Sequence, residues 1–297
     1  MHYRTLGRTG AQVSEIGFGG AGAGLRNYIG KWDPTQEEQI QLVEQAIRRA
    51  VELGINYFDT APLYGSEVMF GKALKPFRDS VFIATKVREK NAADTRESIE
   101  DSLTRLETDR IDLIQYHGGW YSEEEMHNIL KPDGVLAGMQ AACQEGLVRY
   151  IGFTSEGTNG AVSRLIDTQA FDVMQIQYNL MFQHPYDPDK HAGVMVEAEA
   201  QKMGIALMRP FPGGVFPRWL KLVYPDIESH IDMDKLMAGL LTLVLSNPMT
   251  DVAIIGMRLP ELVEKNCAIS DDLDARFDLD PLYDRFLRKR PGSDEET

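Results

Sequence analysis

The chain alternates short apolar runs with longer amphipathic stretches, and this alternation limits the fold more than any other feature of the sequence. Eight runs have the length and the apolar content of buried strands. They are Glu15–Phe18, Ile55–Phe58, Val81–Thr85, Ile111–Tyr116, Arg149–Phe153, Val173–Gln177, Ile205–Met208 and Val252–Ile255. Because these runs are almost continuously apolar, we expect strands that are buried on both faces of a parallel sheet.

Helical patterns lie between the predicted strands. In Thr95–Leu106, the residues Ile99, Leu103 and Leu106 recur at spacings of four and three, which is the period of an amphipathic helix. The stretch Gln36–Leu53 is followed by Gly54, a residue that commonly ends helices. Further helices are predicted at Val135–Glu145, Ala161–Thr168, Val194–Met203, Asp234–Leu245 and Pro260–Ala268.

Eight strands alternating with helices within about 250 residues favour a single (β/α)8 TIM barrel. The glycine-rich segment 17–22 (GFGGAG) matches Gly-x-Gly-x-x-Gly, but loop-like residues up to Pro34 follow it instead of the helix that a dinucleotide-binding turn requires. We expect one domain over residues 1–297, with an N-terminal β-hairpin that includes Gln12–Val13 and closes the barrel bottom. A C-terminal tail from Asp278 is expected to lie over the barrel, partly ordered, and Phe211–Ile231 is predicted to be a loop over the barrel mouth.

Composition excludes several classes of protein. The 31 Lys and Arg residues face 45 Asp and Glu residues, so the net charge is −14, which argues against a nucleic-acid or anionic-membrane binder. Cys143 and Cys267 provide neither a disulfide framework nor a metal site, and no metal is expected. The longest apolar stretch, near residues 236–245, is too short to span a bilayer, and no signal peptide is visible, so a cytoplasmic protein is predicted. The oligomeric state stays open.

Four ionisable side chains follow neighbouring predicted strands. Asp59 follows the second strand, Tyr64 lies in the loop after it, and Lys86 and His117 follow the third and fourth strands. The carboxyl ends of barrel strands face one mouth, so these side chains should converge. Each of them alone has an ordinary explanation, as a turn residue, a packing aromatic, a rim charge or a structural histidine. Together they predict a site for proton transfer.

The predicted chemistry follows from the residue types. A nearby ammonium group, Lys86, is expected to lower the pKa of Tyr64 from its usual value near 10. Asp59 should keep the buried lysine charged, and His117 can orient a carbonyl oxygen or relay a proton. This set predicts a proton donor aimed at a carbonyl oxygen that gains negative charge.

These stretches resemble the aldo-keto reductase family, and the resemblance covers nearly the whole chain. It rests on residues 54–65 (GINYFDTAPLYG), 84–86 (ATK), 112–117 (DLIQYH), 149–152 (RYIG) and 175–179 (QIQYN), and on Asn266. The resemblance implies that Tyr64 is the general acid and that His117 orients the substrate. It also implies hydride transfer between a nicotinamide cofactor, NADPH or NADP+, and a small-molecule carbonyl or alcohol, with NADH as an alternative.

By the same resemblance, the cofactor extends over the barrel mouth. Its expected contacts are Gly19, Gly20, Thr154, Ser155, Gln175, Arg209, Phe211, Gly256, Met257, Arg258, Leu262, Lys265 and Asn266. Thr154 and Ser155 stand where the family usually has Ser-Asn, and Gln175 fits the glutamine that binds the carboxamide. Arg209 stands where many members stack a tyrosine, and it could stack through its guanidinium or reach the pyrophosphate. Arg258 is the candidate for the 2′-phosphate of NADPH.

Aromatic residues in the predicted loops indicate an apolar or stacking substrate pocket. The candidates are Tyr28, Trp32, Trp120, Phe216 and Trp219. Two other functions stay open, since the fold alone does not decide between them. One is a nicotinamide-binding regulatory or channel-associated subunit with little turnover. The other is a barrel lyase or isomerase that uses the same tyrosine and lysine without a nicotinamide.

Overall fold

The computed structural model describes residues 1–184, 193–211, 215–279 and 281. The chain begins with an antiparallel hairpin of β1 (Tyr3–Thr5) and β2 (Gln12–Ser14). Leu6 and Val13 of this hairpin are fully buried against the side chains that fill the barrel interior. The hairpin therefore closes the barrel at the end opposite the mouth, as the sequence predicts.

Eight parallel strands close into a barrel. In chain order they are β3 (Ile16–Gly19), β4 (Tyr57–Asp59), β5 (Phe82–Val87), β6 (Ile111–Tyr116), β7 (Val148–Ser155), β8 (Val173–Gln177), β9 (Gly204–Met208) and β10 (Val252–Ile255). Each strand pairs with the next along the chain, and β10 pairs back onto β3, with Ile255 opposite Phe18. The predicted (β/α)8 TIM barrel with its N-terminal hairpin is confirmed.

Helices surround the barrel. They are α1 (Ala21–Gly24), α2 (Glu37–Glu52), α3 (Glu67–Leu74), α4 (Ala92–Arg105), α5 (Glu123–Leu130), α6 (Val135–Gln144), α7 (Gly160–Asp167), α8 (Val194–Ala200), α9 (Val215–Val223), α10 (Met233–Ser246) and α11 (Pro260–Asp271). Capping residues in the sequence determine where some of these helices begin. Asn91 caps α4 by accepting a hydrogen bond from the Asp94 amide, and Ser122 with Glu125 forms a capping box that begins α5.

Two apolar layers hold the barrel together. One lies between the strands and the helices and includes Ile47 and Ile99. The other fills the barrel interior, where the Tyr57 and Phe82 rings stack with centroids 5.1 Å apart. These interior side chains occupy the lower part of the barrel, and a cavity lies toward the strand ends that carry the polar residues.

The structure corrects several sequence predictions. A short helix, α1, begins inside the glycine-rich segment, where a loop is predicted, and α9 lies within the predicted loop 211–231. Asp59 is the last residue of β4 and Lys86 lies inside β5, whereas both are predicted to follow their strands. Most of the tail from Asp278 lies outside the described residues. No helix in the described part of the chain is long and apolar enough to cross a membrane.

Candidate active site

A cavity of about 270 Å³ opens at the carboxyl ends of the barrel strands. Every strand or the residue directly after it contributes to the wall, through Gly19, Asp59, Lys86, His117, Thr154, Gln175, Met208 and Ile255. Tyr64 completes the wall from the loop after β4. The four predicted catalytic residues therefore all line one cavity, as expected from strand ends that converge at a barrel mouth.

Asp59 and Lys86 form a buried ion pair. The Lys86 Nζ atom donates to Asp59 Oδ1 at 2.6 Å and to the Thr60 carbonyl oxygen at 2.8 Å. Only 1% of the Lys86 surface is exposed. Burial lowers the pKa of Lys86 and raises that of Asp59, and the contact between the two opposes both shifts. A buried charge needs such a partner, which explains why a lysine can lie inside β5.

Tyr64 and His117 meet on the wall beside this ion pair. The Tyr64 hydroxyl oxygen lies 3.4 Å from His117 Nε2, and the two rings are almost perpendicular. Lys86 Nζ lies 5.0 Å from the Tyr64 ring centroid. A substrate oxygen placed against the phenol would therefore also lie near the imidazole.

The protonation of Tyr64 differs from the sequence prediction. Burial raises the pKa of Tyr64 well above its usual value, and the negative charge of Asp59 raises it further. The expected lowering of the pKa of Tyr64 is wrong, because burial and the charge of Asp59 outweigh the ammonium group of Lys86, which lies over the ring and is paired with Asp59. Burial also lowers the pKa of His117 to about 3, with Lys86 as the next cause. At neutral pH the site therefore presents a protonated phenol and an uncharged imidazole.

The lowered pKa of His117 predicts a stability loss in acid. An unfolded histidine binds a proton near pH 6.5, whereas the folded one stays neutral down to about pH 3, so stability falls as the pH falls between these values. Between pH 7 and pH 5 this linkage amounts to about 2 kcal/mol. In urea unfolding at both pH values, the wild-type protein should lose stability from pH 7 to pH 5, and the loss in His117→Gln should be smaller by about 2 kcal/mol. His127→Gln, on the exposed side of α5, serves as control and should keep it. Equal losses in His117→Gln and wild type would contradict the assignment.

Two glutamines connect the ion pair to the opposite wall. Gln115 Nε2 donates to Gln175 Oε1 at 2.8 Å and lies 3.5 Å from Asp59 Oδ1. Gln175 lines the cavity, its amide nitrogen lies 3.9 Å from Met208 Sδ, and a hydrogen bond from its side chain lowers the pKa of Asp59. Sequence reasoning missed Gln115. The available signal was its position two residues before His117, since alternate residues of a strand share a face.

The end of β7 presents fewer free hydroxyls than the sequence suggests. Thr154 Oγ1 donates to the Gly118 carbonyl oxygen at 2.8 Å, and Ser155 Oγ donates to that of Gly157 at 2.7 Å. The next residue, Glu156, accepts a hydrogen bond from Arg209 Nη2 at 2.7 Å, and both side chains line the cavity. Glu156 was also missed, because nothing in its neighbourhood in sequence marks it.

Arg258 lies beside the cavity, at the end of β10. Its guanidinium group lies 4.3 Å from the Trp32 ring centroid and donates to the Ile29 carbonyl oxygen at 2.6 Å and to that of Gly22 at 3.3 Å. Its hydrogen bonds within the described residues go to carbonyl oxygens and not to carboxylates. The positive charge is therefore not neutralised by an acidic partner there.

The predicted cofactor residues fall into two groups. Those that line the cavity are Gly19, Thr154, Gln175, Arg209, Phe211 and Gly256. Those that lie outside its wall are Gly20, Ser155, Met257, Arg258, Leu262, Lys265 and Asn266. Met257 is fully buried in the core, and Lys265 forms an exposed ion pair with Asp234 at 3.1 Å.

Of the five aromatic substrate candidates, Tyr28 lines the cavity. Trp32 is 5% exposed and donates its indole N–H to the Ala23 carbonyl oxygen, so it packs beneath the first loop. Trp120 is 66% exposed and packs on the Gly157 backbone so closely that a Cβ atom there would collide with its ring. Phe216 and Trp219 stack on each other on α9, with centroids 6.3 Å apart. These four lie outside the cavity wall.

Comparison with known proteins identifies a family model and several relatives that match this chain. A model of the aldo/keto reductase family matches residues 15–223. L-galactose dehydrogenase of Arabidopsis thaliana is 36% identical over 166 residues, which cover 52% of this chain and 48% of that protein. The oxidoreductase YqkF of Bacillus subtilis is 30% identical over 200 residues, which cover 62% of this chain and 58% of that protein. The matches thus span about half the length of these relatives.

The fold also matches solved structures. An aldo/keto reductase from Klebsiella pneumoniae, solved in complex with NADP and acetate, superposes with a TM-score of 0.71 at 20% identity, over 97% of this chain and 96% of that one. This likeness concerns the barrel, whereas the family model also covers the residues that carry the site, from Asp59 to Arg209. The chain belongs to the aldo/keto reductase family.

Proposed function

We propose that this protein is an NADP(H)-dependent oxidoreductase that reduces small aldehydes or ketones to alcohols, with Tyr64 as the general acid. The observation that carries the proposal is the contact between the Tyr64 hydroxyl and His117 Nε2 beside the buried Lys86–Asp59 pair. A phenol that keeps its proton and an imidazole that stays neutral are suited to bind a carbonyl oxygen from two sides.

The cavity has the shape and the donors that a nicotinamide cofactor needs. Gly22 and Gly256 line the wall, and a Cβ atom added at either one would meet no atom within 4 Å, so flat groups can approach the backbone there. The Gln175 amide nitrogen faces the cavity and can bind a carboxamide oxygen. Arg209 and Arg258 supply positive charge for phosphates. Bound NADPH would supply the hydride to the substrate carbon.

The chain's own residues then handle the proton. The carbonyl oxygen accepts a hydrogen bond from the Tyr64 hydroxyl and, as negative charge grows on it, takes that proton. His117 holds the same oxygen in place while remaining uncharged. The positive charge of Lys86, held at the ring of Tyr64, stabilises the phenolate that is left. In alcohol oxidation the same groups act in reverse, with Tyr64 as the base.

The direct test is a fluorescence titration with NADPH and NADH, followed by a panel of neutral aldehydes and ketones in which NADPH consumption is measured. Binding with turnover supports the proposal. Tight binding without turnover over the whole panel would instead favour a regulatory subunit. Failure to bind either nucleotide would favour a barrel lyase or isomerase.

Arg258 is expected to distinguish the two nucleotides. In Arg258→Ala, the Kd for NADPH should rise by about tenfold or more relative to that for NADH, because the loss of a charge-assisted hydrogen bond costs roughly 1.5–3 kcal/mol and only NADPH carries the 2′-phosphate. Titration of both nucleotides provides the internal control, since a disturbed Trp32 or Ile29 would weaken both. Equal weakening would remove Arg258 from this role.

A further inference from the structure

Glu156 places a carboxylate on the cavity wall, close to the reacting groups. It follows β7 directly and forms an ion pair with Arg209 at 2.7 Å. Glu156 is 35% exposed and Arg209 is 34% exposed, so the pair faces the open part of the cavity. Both charges act on Tyr64, since Arg209 lowers its pKa and Glu156 raises it. Tyr64 and Glu156 line the same cavity of about 270 Å³, so a substrate whose carbonyl oxygen contacts Tyr64 shares this small space with the carboxylate.

The charges of the cavity wall balance. The described residues that line it carry two acidic groups, Asp59 and Glu156, and two basic groups, Lys86 and Arg209. Each basic group is paired with an acid at 2.6 or 2.7 Å. His117 adds no charge, because burial lowers its pKa to about 3. Within the described part of the wall, a substrate carboxylate would find no cation that is free to bind it.

The two ion pairs differ in how far they are exposed to a molecule that enters the cavity. The Lys86–Asp59 pair is buried, and Lys86 is also bonded to the Thr60 carbonyl oxygen. The Arg209–Glu156 pair is partly open to solvent. The Arg209 backbone has a φ of 58°, in the left-handed region, and its carbonyl oxygen accepts a hydrogen bond from Asn179 Nδ2 at 3.0 Å. The starting point of the arginine side chain is thereby held, while its guanidinium group can still turn.

Neither position of the Arg209 guanidinium group favours an anionic substrate. If it stays on Glu156, the pair is neutral and offers a carboxylate no net attraction. If the phosphates of a bound cofactor draw it away, Glu156 is left as an uncompensated negative charge beside the substrate. Repulsion between like charges a few ångströms apart in a cavity is much stronger than in bulk water.

We propose that Glu156 determines the charge of the substrate: it selects neutral carbonyl compounds and excludes those that carry a carboxylate. This inference rests on the proposed reductase function and specifies the substrate class of the same site. It makes Glu156 a specificity-determining residue and leaves the roles of the four catalytic residues unchanged.

The test compares two aldehydes that differ mainly in charge, para-(hydroxymethyl)benzaldehyde and para-carboxybenzaldehyde. Wild-type protein should prefer the neutral aldehyde by about tenfold or more in kcat/KM. Glu156→Gln should shift the ratio of the two kcat/KM values toward the carboxylate substrate by about tenfold. Glu123→Gln changes the net charge equally at an exposed site on α5, and it should leave the ratio at the wild-type value.

A binding measurement separates this inference from the proposed function. Calorimetry of the two corresponding alcohols, with and without NADP+, should show the same preference and the same shift in Glu156→Gln. If wild-type protein turned over neither aldehyde, the reductase function would fail, and the binding ratios would still decide the role of Glu156. If both aldehydes reacted equally well and Glu156→Gln changed neither ratio, the inference would be wrong and the reductase function would stand.

Discussion

Tyr64→Phe is expected to lower kcat for aldehyde reduction by about a hundredfold to ten-thousandfold, the range that general acid catalysis contributes. The substitution keeps the ring that packs against His117 and lies below Lys86, and it removes only the hydroxyl group. Because the hydroxyl is the proposed donor of the proton to the substrate oxygen, the loss should appear in kcat and in kcat/KM alike. Steady-state kinetics with a neutral aldehyde measures both.

Two controls show whether the loss of kcat comes from the missing proton donor or from a disturbed cavity. The Kd for NADPH should change little in Tyr64→Phe, because the proposed cofactor contacts lie on other parts of the wall. Tyr28→Phe removes a hydroxyl group from the same cavity and should cost less than about tenfold, because the contacts with His117 and Lys86 described above are made by Tyr64. If Tyr64→Phe retained more than about a tenth of wild-type kcat, another group would have to be the acid.

The strands could be read from the sequence because burial on both faces leaves an apolar run with few interruptions. Three predicted strands, Ile111–Tyr116, Val173–Gln177 and Val252–Ile255, agree with the structure to the residue. The other predicted strands differ from the structure at one end or both, and two of these differences lie where a charged residue follows the run. Asp59 and Lys86 suggested strand ends, yet they continue the strands because each neutralises the other inside the barrel. A pair formed across neighbouring strands cannot be recognised from either residue alone.

The same reasoning explains what could be predicted of the site. The carboxyl ends of successive strands meet at one mouth in any barrel, so the meeting of Tyr64, Lys86 and His117 followed from their order along the chain. The direction in which each loop side chain points does not follow from that order. Trp120 turns onto Gly157 and Trp32 turns beneath Arg258, and both orientations depend on contacts between distant segments.

The pKa of Tyr64 marks a further limit of sequence reasoning. The direction in which this pKa shifts depends on which of two effects is larger. A neighbouring ammonium group lowers the pKa, and the removal of water from the phenol raises it. The sequence shows the neighbour, whereas only the structure shows that the phenol is enclosed and that Asp59 has already paired with Lys86. Tyr64 therefore holds its proton through burial, and in the proposed reaction Lys86 acts on the phenolate after the proton has left.

The largest change in stability is expected from substitutions in the buried Lys86–Asp59 pair. Lys86→Met should lower the free energy of unfolding by about 3–5 kcal/mol near pH 8, because it leaves the carboxylate of Asp59 buried without a cation. The double variant Asp59→Asn/Lys86→Met removes both charges, and it should be more stable than Lys86→Met by roughly 2 kcal/mol or more. Urea unfolding of the wild type and the three variants, including Asp59→Asn alone, gives the coupling energy. If the double variant were no more stable than Lys86→Met, the loss would come from packing of the lysine stem and not from the unpaired charge. A recovery would show that Lys86 and Asp59 are coupled, so that the fold tolerates both charges together or neither, but not the buried carboxylate alone.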